Sequence, residues 1–439
     1  MEAPAATPRA RNPWWIPPFL GRVPPEITPA QLRLLGFIAL AMLFENYDLS
    51  MLGSAIKYIR EDFGLPQSEV GRLTATVRLG ALPALFVIPF VDRIGRRRVF
   101  LASVLGMSLG TLATAFTQSA WQFVAVQMLS RTFLITASAT AFVIVSEELP
   151  ASRRGWGVGM LGALGAFGFG LGAMLFAAIE WLPFGWRFLY AVGVVPLLLL
   201  PRFRREVKET SRFARAHGEG EDLARALARW FDPLRVIVRR HPGRAVGIAL
   251  LGALAAGGHA SGFQIMGDYL LTDRGWEPWR YSALFILGGL VGIVGNPAAG
   301  RFGDRYGRRV VGFLVLAGFP LFMFVFYHSD GWMIPATWIP GVFLLSGGNT
   351  VIRAFSTELF PTGSRGTAAG WLMLLETGGA ALALATVTRL TPEGESVVPA
   401  VTMLVFLTLG AAVVVLFLPE TANLELEEIS EGAGPARPS

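Results

Sequence analysis

Glu45 and Asp48 stand three residues apart in Phe44-Glu45-Asn46-Tyr47-Asp48, an acidic phrase inside an otherwise apolar run near 33–56. At that spacing both carboxylates share one face of a helix. Two acids in such a run are costly unless they line a water-accessible cavity or meet cations. Crowded, partly desolvated carboxylates can load and release a proton near neutral pH; the alternative reading is a structural ion pair. Asp48 lies about nine residues from the outer end of its run, about 13 Å at 1.5 Å per residue. Arg131 and Arg78 sit at comparable depths in their own runs. We therefore expect an Asp48–Arg131 pair with Arg78 close by. Glu45, Asp48 and Arg131 would be the proton-coupling group, Arg131 modulating the acids or meeting a substrate carboxylate. Tyr47, Arg78, His259, Gln264, Asn349 and Glu376 are expected to face a substrate cavity. Arg78 fits a structural role equally well, as His259 fits simple packing. Glu376, near mid-depth, has no cation within reach on its own helix.

A second chemistry is written twice. Asp92-Arg93-Ile94-Gly95-Arg96-Arg97 returns about 212 residues later as Asp304-Arg305-Tyr306-Gly307-Arg308-Arg309. A phrase from Glu147 through Pro150 and Arg154 to Gly155 returns at nearly the same offset as Glu358, Pro361, Arg365 and Gly366. Two unlike motifs sharing one offset make the chain two related halves. Gly95 and Gly307 permit a tight turn, Asp92 can cap the following helix, and the arginines can reach Glu147 or Glu358 within the same half. The expected conformational gate comprises Asp92, Arg93, Gly95, Arg96, Arg97, Glu147 and Arg154, with Asp304, Arg305, Gly307, Arg308, Arg309, Glu358 and Arg365. A basic loop that only sets orientation in the membrane is the plainer reading.

These residues need elements to hold them. Of 439 residues, 53% are hydrophobic and only 16% charged, which excludes an ordinary soluble enzyme. Twelve apolar segments are long enough to cross a bilayer as helices: near 33–56, 71–91, 99–117, 121–145, 156–179, 187–200, 245–271, 281–300, 310–327, 332–357, 367–389 and 397–418. Barrel-strand alternation is missing. The expected fold is an all-α integral membrane protein, twelve transmembrane helices in two six-helix pseudo-symmetric bundles. Glycines at 155, 157, 159, 162, 165, 168, 170 and 172 should let the fifth span pack closely.

The divisions expected are a mobile cytoplasmic arm over 1–30, six-helix bundles over 31–200 and 245–420, a linker over 201–244 with an amphipathic piece from Leu223 to Leu234, and a cytoplasmic tail over 421–439. Thr28-Pro29-Ala30-Gln31 has the form of a capped helix start. The net charge of +7 reflects about two dozen Lys and Arg in the inner connections against about seven outside, so no nucleic-acid partner is implied. The first 30 residues lack the order of a cleaved signal. With no cysteine, no metal cluster, no nucleophile–base set and no phosphate loop, neither enzyme chemistry nor a cofactor is expected; the energy source would be a proton gradient.

The duplicated Asp-Arg-x-Gly-Arg-Arg loop resembles the signature loop of the major facilitator superfamily, over about residues 33 to 430. Gly300, four before Asp304, fits that signature; Ile88 at the matching place does not. Glu-x-x-Pro with its following Arg-Gly, Glu209-Thr210-Ser211-Arg212-Phe213, Pro419-Glu420-Thr421 and Leu426-Glu427-Glu428-Ile429 are similar to the sugar-porter and organic-ion branches. Glu45-Asn46-Tyr47-Asp48 resembles the Asp-Gly-Tyr-Asp phrase of aromatic-acid/proton symporters. Ser261-Gly262-Phe263-Gln264 resembles the end of a sugar-porter phrase, with Gly258-His259 where paired glutamines belong. The resemblance implies a secondary transporter working by alternating access between the halves, first as a proton-coupled symporter of a small organic acid. A proton-antiport exporter of amphipathic or cationic compounds and a sugar:proton symporter are the alternatives. The implied setting is the inner (cytoplasmic) membrane, multi-pass, with both termini cytoplasmic, acting on a small-molecule substrate as a monomer in the bilayer.

Overall fold

A computed structural model of the protein describes residues 12–20, 22–87, 91–207, 209, 235, 238–239, 242–360 and 365–422. Among them twelve long helical spans run in sequence: α1 (Pro29–Asp62), α2 (Gln67–Val87), α3 (Arg96–Thr114), α4 (Ala120–Glu148), α5 (Arg154–Ala177), α6 (Trp186–Glu206), α7 (Pro242–Thr272), α8 (Pro278–Tyr306), α9 (Arg308–His328), α10 (Met333–Glu358), α11 (Arg365–Leu390) and α12 (Val398–Phe417). Ten are long and apolar enough to cross a bilayer. The other two are more polar for visible reasons: α3 opens on Arg96-Arg97-Arg98, and α10 carries Asn349, Thr350 and Arg353. The twelve spans match the sequence reading within a few residues, although α6 runs on to Glu206 and α7 begins at Pro242. The Leu223–Leu234 piece and the tail beyond residue 422 lie outside the described residues.

The expected arm is different where it is described. Residues 12–20 and 22–30 dock on the first bundle, with Ile16 and Ile27 buried. Gly36 has no Cβ, and Trp15 lies against that gap. Asn12 accepts a bond from Val23 N at 3.1 Å, and Arg153 pairs with Glu26 at 2.6 Å. The Thr28–Gln31 capping box forms, and Gln31 Nε2 also donates to Glu148 O at 2.7 Å, tying the start of α1 to the end of α4. Trp14 remains 95% exposed, as suits a ring at the membrane–water boundary.

Only one face of the α5 glycine series works as a packing stripe. A Cβ at Gly168 or Gly172 would collide with α1, and Gly165 lies against Met42 and Asn46, whereas Gly155, Gly159, Gly162 and Gly170 meet nothing. The sequence reading treated all eight alike. The helical period puts only some of them toward α1.

The halves, α1–α6 and α7–α12, meet mainly at the end away from the basic turns. There Arg60 Nε donates to Asp268 Oδ1 at 2.7 Å, with Asp268 fully buried, and Arg60 also reaches Thr272 at 2.9 Å. Gln67 donates to Asp268 and Asp273, Lys57 to Leu271 O, and Arg72 N to Thr388 Oγ1. Ser54 and Tyr281 share a bond at 3.1 Å. Backbones touch where side chains vanish: a Cβ at Gly71 would strike Leu384 O, and one at Gly267 would strike Gly53 O. This end of the molecule is shut.

Candidate functional site

Below that closure the halves enclose a cavity of about 330 Å³, lined from the first half by Leu49, Ser50, Gly53, Arg78, Arg131 and Phe169. The second half contributes His259, Phe263, Gln264, Tyr281, Phe285, Asn349, Arg353 and Glu376, among others. Five of the six expected substrate-cavity residues are therefore brought together. Tyr47 is the exception, and its placement is corrected: its hydroxyl donates to Leu189 O at 2.7 Å inside a buried packing cluster.

Glu45 and Asp48 share a face, as their spacing requires, but that face points into the first bundle. One residue further round, Leu49, Ser50 and Gly53 take the cavity side. At 100° per residue a shift of one position is enough to move a side chain off the wall. Asp48 accepts from Thr111 Oγ1 of α3 at 2.7 Å and also meets Gln127 of α4. Glu45 meets Ser138 of α4, while its Oε2 is buried with no partner. The expected direct Asp48–Arg131 ion pair is absent among the described residues. Arg131 instead lies in the cavity wall in front of both acids, within their electrostatic field and that of Arg78. Its Nε has no partner. Thr111, Gln127 and Ser138 occupy the places close to the acids where sequence reasoning put a cation.

On the opposite wall the His259 ring hydrogen-bonds Asn349, stands edge-on to Phe319 at 4.7 Å between centroids, and leaves Nε2 buried and unpartnered. Glu376 feels Arg353 of α10 first and Arg78 second. Arg78 Nη1 crosses between the halves to Gln264 Oε1 at 3.2 Å. Phe263, Phe285 and Tyr281 form an aromatic wall, with Phe263–Phe285 centroids at 5.8 Å and Tyr281–Phe285 at 5.9 Å. Positive groups at one side and aromatic faces at the other suit a flat anion.

At the basic end each half carries the same device. Arg96 pairs with Glu147 at 3.1 Å in the first half, and Arg308 with Glu358 at 2.8 Å and Asp304 at 3.1 Å in the second. Gly95 and Gly307 adopt φ of 107° and 95°, a region other residues avoid. The acceptor found at the start of α3 is Glu209, which takes Arg97 N at 3.2 Å. Its counterpart Glu420 takes Arg308 N at 2.8 Å and Arg309 N at 3.1 Å. The cap expected from Asp92 falls on a side chain outside the described residues; the acids described at these two helix starts come from beyond α6 and α12. Arg97 reaches the carbonyls of Arg204 and Val207, and Arg309 that of Leu416, so the side-chain bonds described for these two arginines satisfy helix ends. Arg305 lies over the Tyr306 ring, and Arg154 Nε is buried without a partner. The side chains of Asp92, Arg93 and Arg365 lie outside the described residues. Glu209 and Glu420 are about 211 residues apart, so the duplicated offset was the signal that could have found them.

Burial opposes the charge on Glu420, but the N–H groups of Ala422, Arg309, Arg308 and Thr421 outweigh it and hold its pKa below the ordinary 4.5. Such a contact contributes fully above the ordinary pKa and is lost as pH falls through the lowered folded value. The thermal midpoint of detergent-purified wild type should therefore drop further than that of Glu420→Gln on acidification below pH 4.5. Equal drops would show that this carboxylate contributes nothing.

The chain matches the family described as Major Facilitator Superfamily over residues 38–384. It is 27% identical over 376 residues to a gallate transporter of Pseudomonas putida, covering 79% of this chain and 82% of that one. It is 27% identical over 368 residues to a cis,cis-muconate transport protein of Acinetobacter baylyi, covering 82% and 87%. Its fold overlays on the inward open conformation of the xylose transporter XylE from E. coli with a TM-score of 0.71 at 18% identity, over 91% of this chain and 99% of that one. Duplicated basic turns, two-bundle fold and sequence match agree: this chain belongs to the Major Facilitator Superfamily and is a multi-pass membrane transporter, not an enzyme.

Proposed function

We propose that the protein is a proton-coupled symporter of a small organic acid, with the substrate carboxylate held by Arg78 and Arg131. The observation that carries this concerns two of the three cavity guanidinia, Arg78 and Arg131: neither forms an ion pair among the described residues, while aromatic side chains line the same space. A sugar would need many fixed hydrogen-bond partners, and the wall offers only Gln264 and Asn349 as amides. The relatives that carry gallate and muconate support an acid substrate.

Glu45 and Asp48 carry the proton behind Arg131. The unpartnered Glu45 oxygen is a vacant place for it, and the arginine transmits the charge state of the acids to the cavity. The halves rock about the cavity, biased by the paired Arg96–Glu147 and Arg308–Glu358 contacts. The protein sits as a monomer in the inner membrane, basic turns and both termini on the cytoplasmic side, its bundles spanning 31–200 and 245–420 with 201–244 as linker. In this orientation the structure is closed outward. Proteoliposomes given an inside-alkaline pH gradient should accumulate radiolabelled gallate, and collapse of the gradient should release it. Gallate uptake indifferent to the gradient would remove proton coupling; gallate release driven by an inside-alkaline lumen, against the inward proton flow, would instead favour the exporter.

A further inference from the structure

Arg78 is a half-buried cation whose described hydrogen bond is made to the other half of the protein, and to a neutral group. Its Nη1 donates to the Gln264 side-chain oxygen at 3.2 Å. An amide presents to a guanidinium the same planar oxygen that a carboxylate does, without the charge. A charged acceptor binds a guanidinium about twice as strongly as a neutral one. The position of Gln264 is equally telling. It is the last residue of the first segment of α7, Pro242–Gln264, and the helix resumes at Met266–Thr272. That second segment holds Gly267 against Gly53 and Asp268 against Arg60, the contacts that shut the outer end.

We infer that Gln264 is an internal stand-in for the substrate carboxylate: it occupies Arg78 in the empty carrier, and an arriving carboxylate displaces it. This rests on the organic-acid reading of the cavity. A carrier that must also reorient empty needs an acceptor for the Arg78 guanidinium when no substrate is present, and Gln264 fills that need within the field of Glu376. Displacement frees the residue at the break in α7. Occupancy of Arg78 is thereby linked to the hold of the outer closure.

The inference reverses the sign expected of an ordinary binding residue. Gln264→Leu removes the competitor, so gallate should bind about three- to tenfold more tightly, the worth of one hydrogen bond. Gln264→Glu supplies a permanent competitor, so gallate should bind at least about tenfold more weakly. Titration of each purified variant with gallate by calorimetry reads both. Weaker or unchanged binding in Gln264→Leu would overturn the inference and make Gln264 a plain substrate contact. Should that variant fail to fold, unchanged or tighter binding in Gln264→Glu overturns it equally.

A ligand-free arm separates this from the organic-acid reading. The chain has no cysteine, so Ser54→Cys, buried in the outer closure, is a clean reporter for a membrane-impermeant maleimide. Labelling of the empty carrier should rise with Gln264→Leu and fall with Gln264→Glu; no change in either overturns the inference. Failure of wild type to bind gallate while labelling responds would sink the gallate-type substrate and leave the stand-in standing.

Discussion

Asp48→Asn reconstituted in proteoliposomes is expected to exchange gallate across the membrane and to lose uphill accumulation. One pH unit is worth about 1.4 kcal/mol per proton, an about tenfold concentration ratio at one proton per substrate. The variant should bring that ratio to about one while leaving equilibrium exchange within a few-fold of wild type. The fold should survive, because an Asn side-chain oxygen can still accept from Thr111 Oγ1, which lies 2.7 Å from Asp48. Arg131→Ala is the contrasting variant. It strips both buried acids of the nearest cation, a loss that costs about 3–5 kcal/mol where a buried charge is left uncompensated, so both exchange and protein yield should fall. Undiminished uphill uptake in Asp48→Asn would end the assignment of the proton to this site.

Arg60→Met should open the outer end. Asp268 is fully buried, and Gln67 is a neutral partner that cannot replace the guanidinium. The cost of about 3 kcal/mol or more falls on the closed arrangement alone, shifting the balance between the two arrangements about a hundredfold. Maleimide labelling at Ser54→Cys should become rapid. Adding Asp268→Leu to Arg60→Met should slow it again, because well-packed apolar groups replace a buried pair at little loss. Equal labelling in wild type and Arg60→Met would show that the closure is held by packing, with Arg60–Asp268 incidental.

The sequence made the architecture legible because lipid imposes one-dimensional rules: span length, basic turns, and a repeat at fixed offset. The basic turns with Arg96–Glu147 and Arg308–Glu358 were equally open to it, since both partners lie inside duplicated phrases. Which wall a side chain faces was harder. Glu45 and Asp48 were correctly put on one face, but nothing in the spacing says whether that face looks at α3 and α4 or at the opposite half. Tyr47 went astray for the same reason. The Arg60–Asp268 latch was hidden because its partners belong to different halves and to no shared motif. Asp268 reads as one more polar residue in α7 until the bundles are brought together. In the arm, Pro and Ala suggest a loose chain, yet over its described residues Ile16 and Ile27 are buried and Trp15 lies against Gly36 of α1, contacts that composition does not reveal.

The acids that cap α3 and α9 bear on how the polypeptide could be cut. Glu209 fastens the chain just past α6 to α3, and Glu420 fastens the chain just past α12 to α9, so each set of six helices is buckled by its own strap. The bonds described for each strap lie within its own set of helices. A transporter severed between Glu209 and Pro242 should therefore reassemble from two co-expressed fragments, the rejoining left to the interface around Gly71, Gly267 and Asp268.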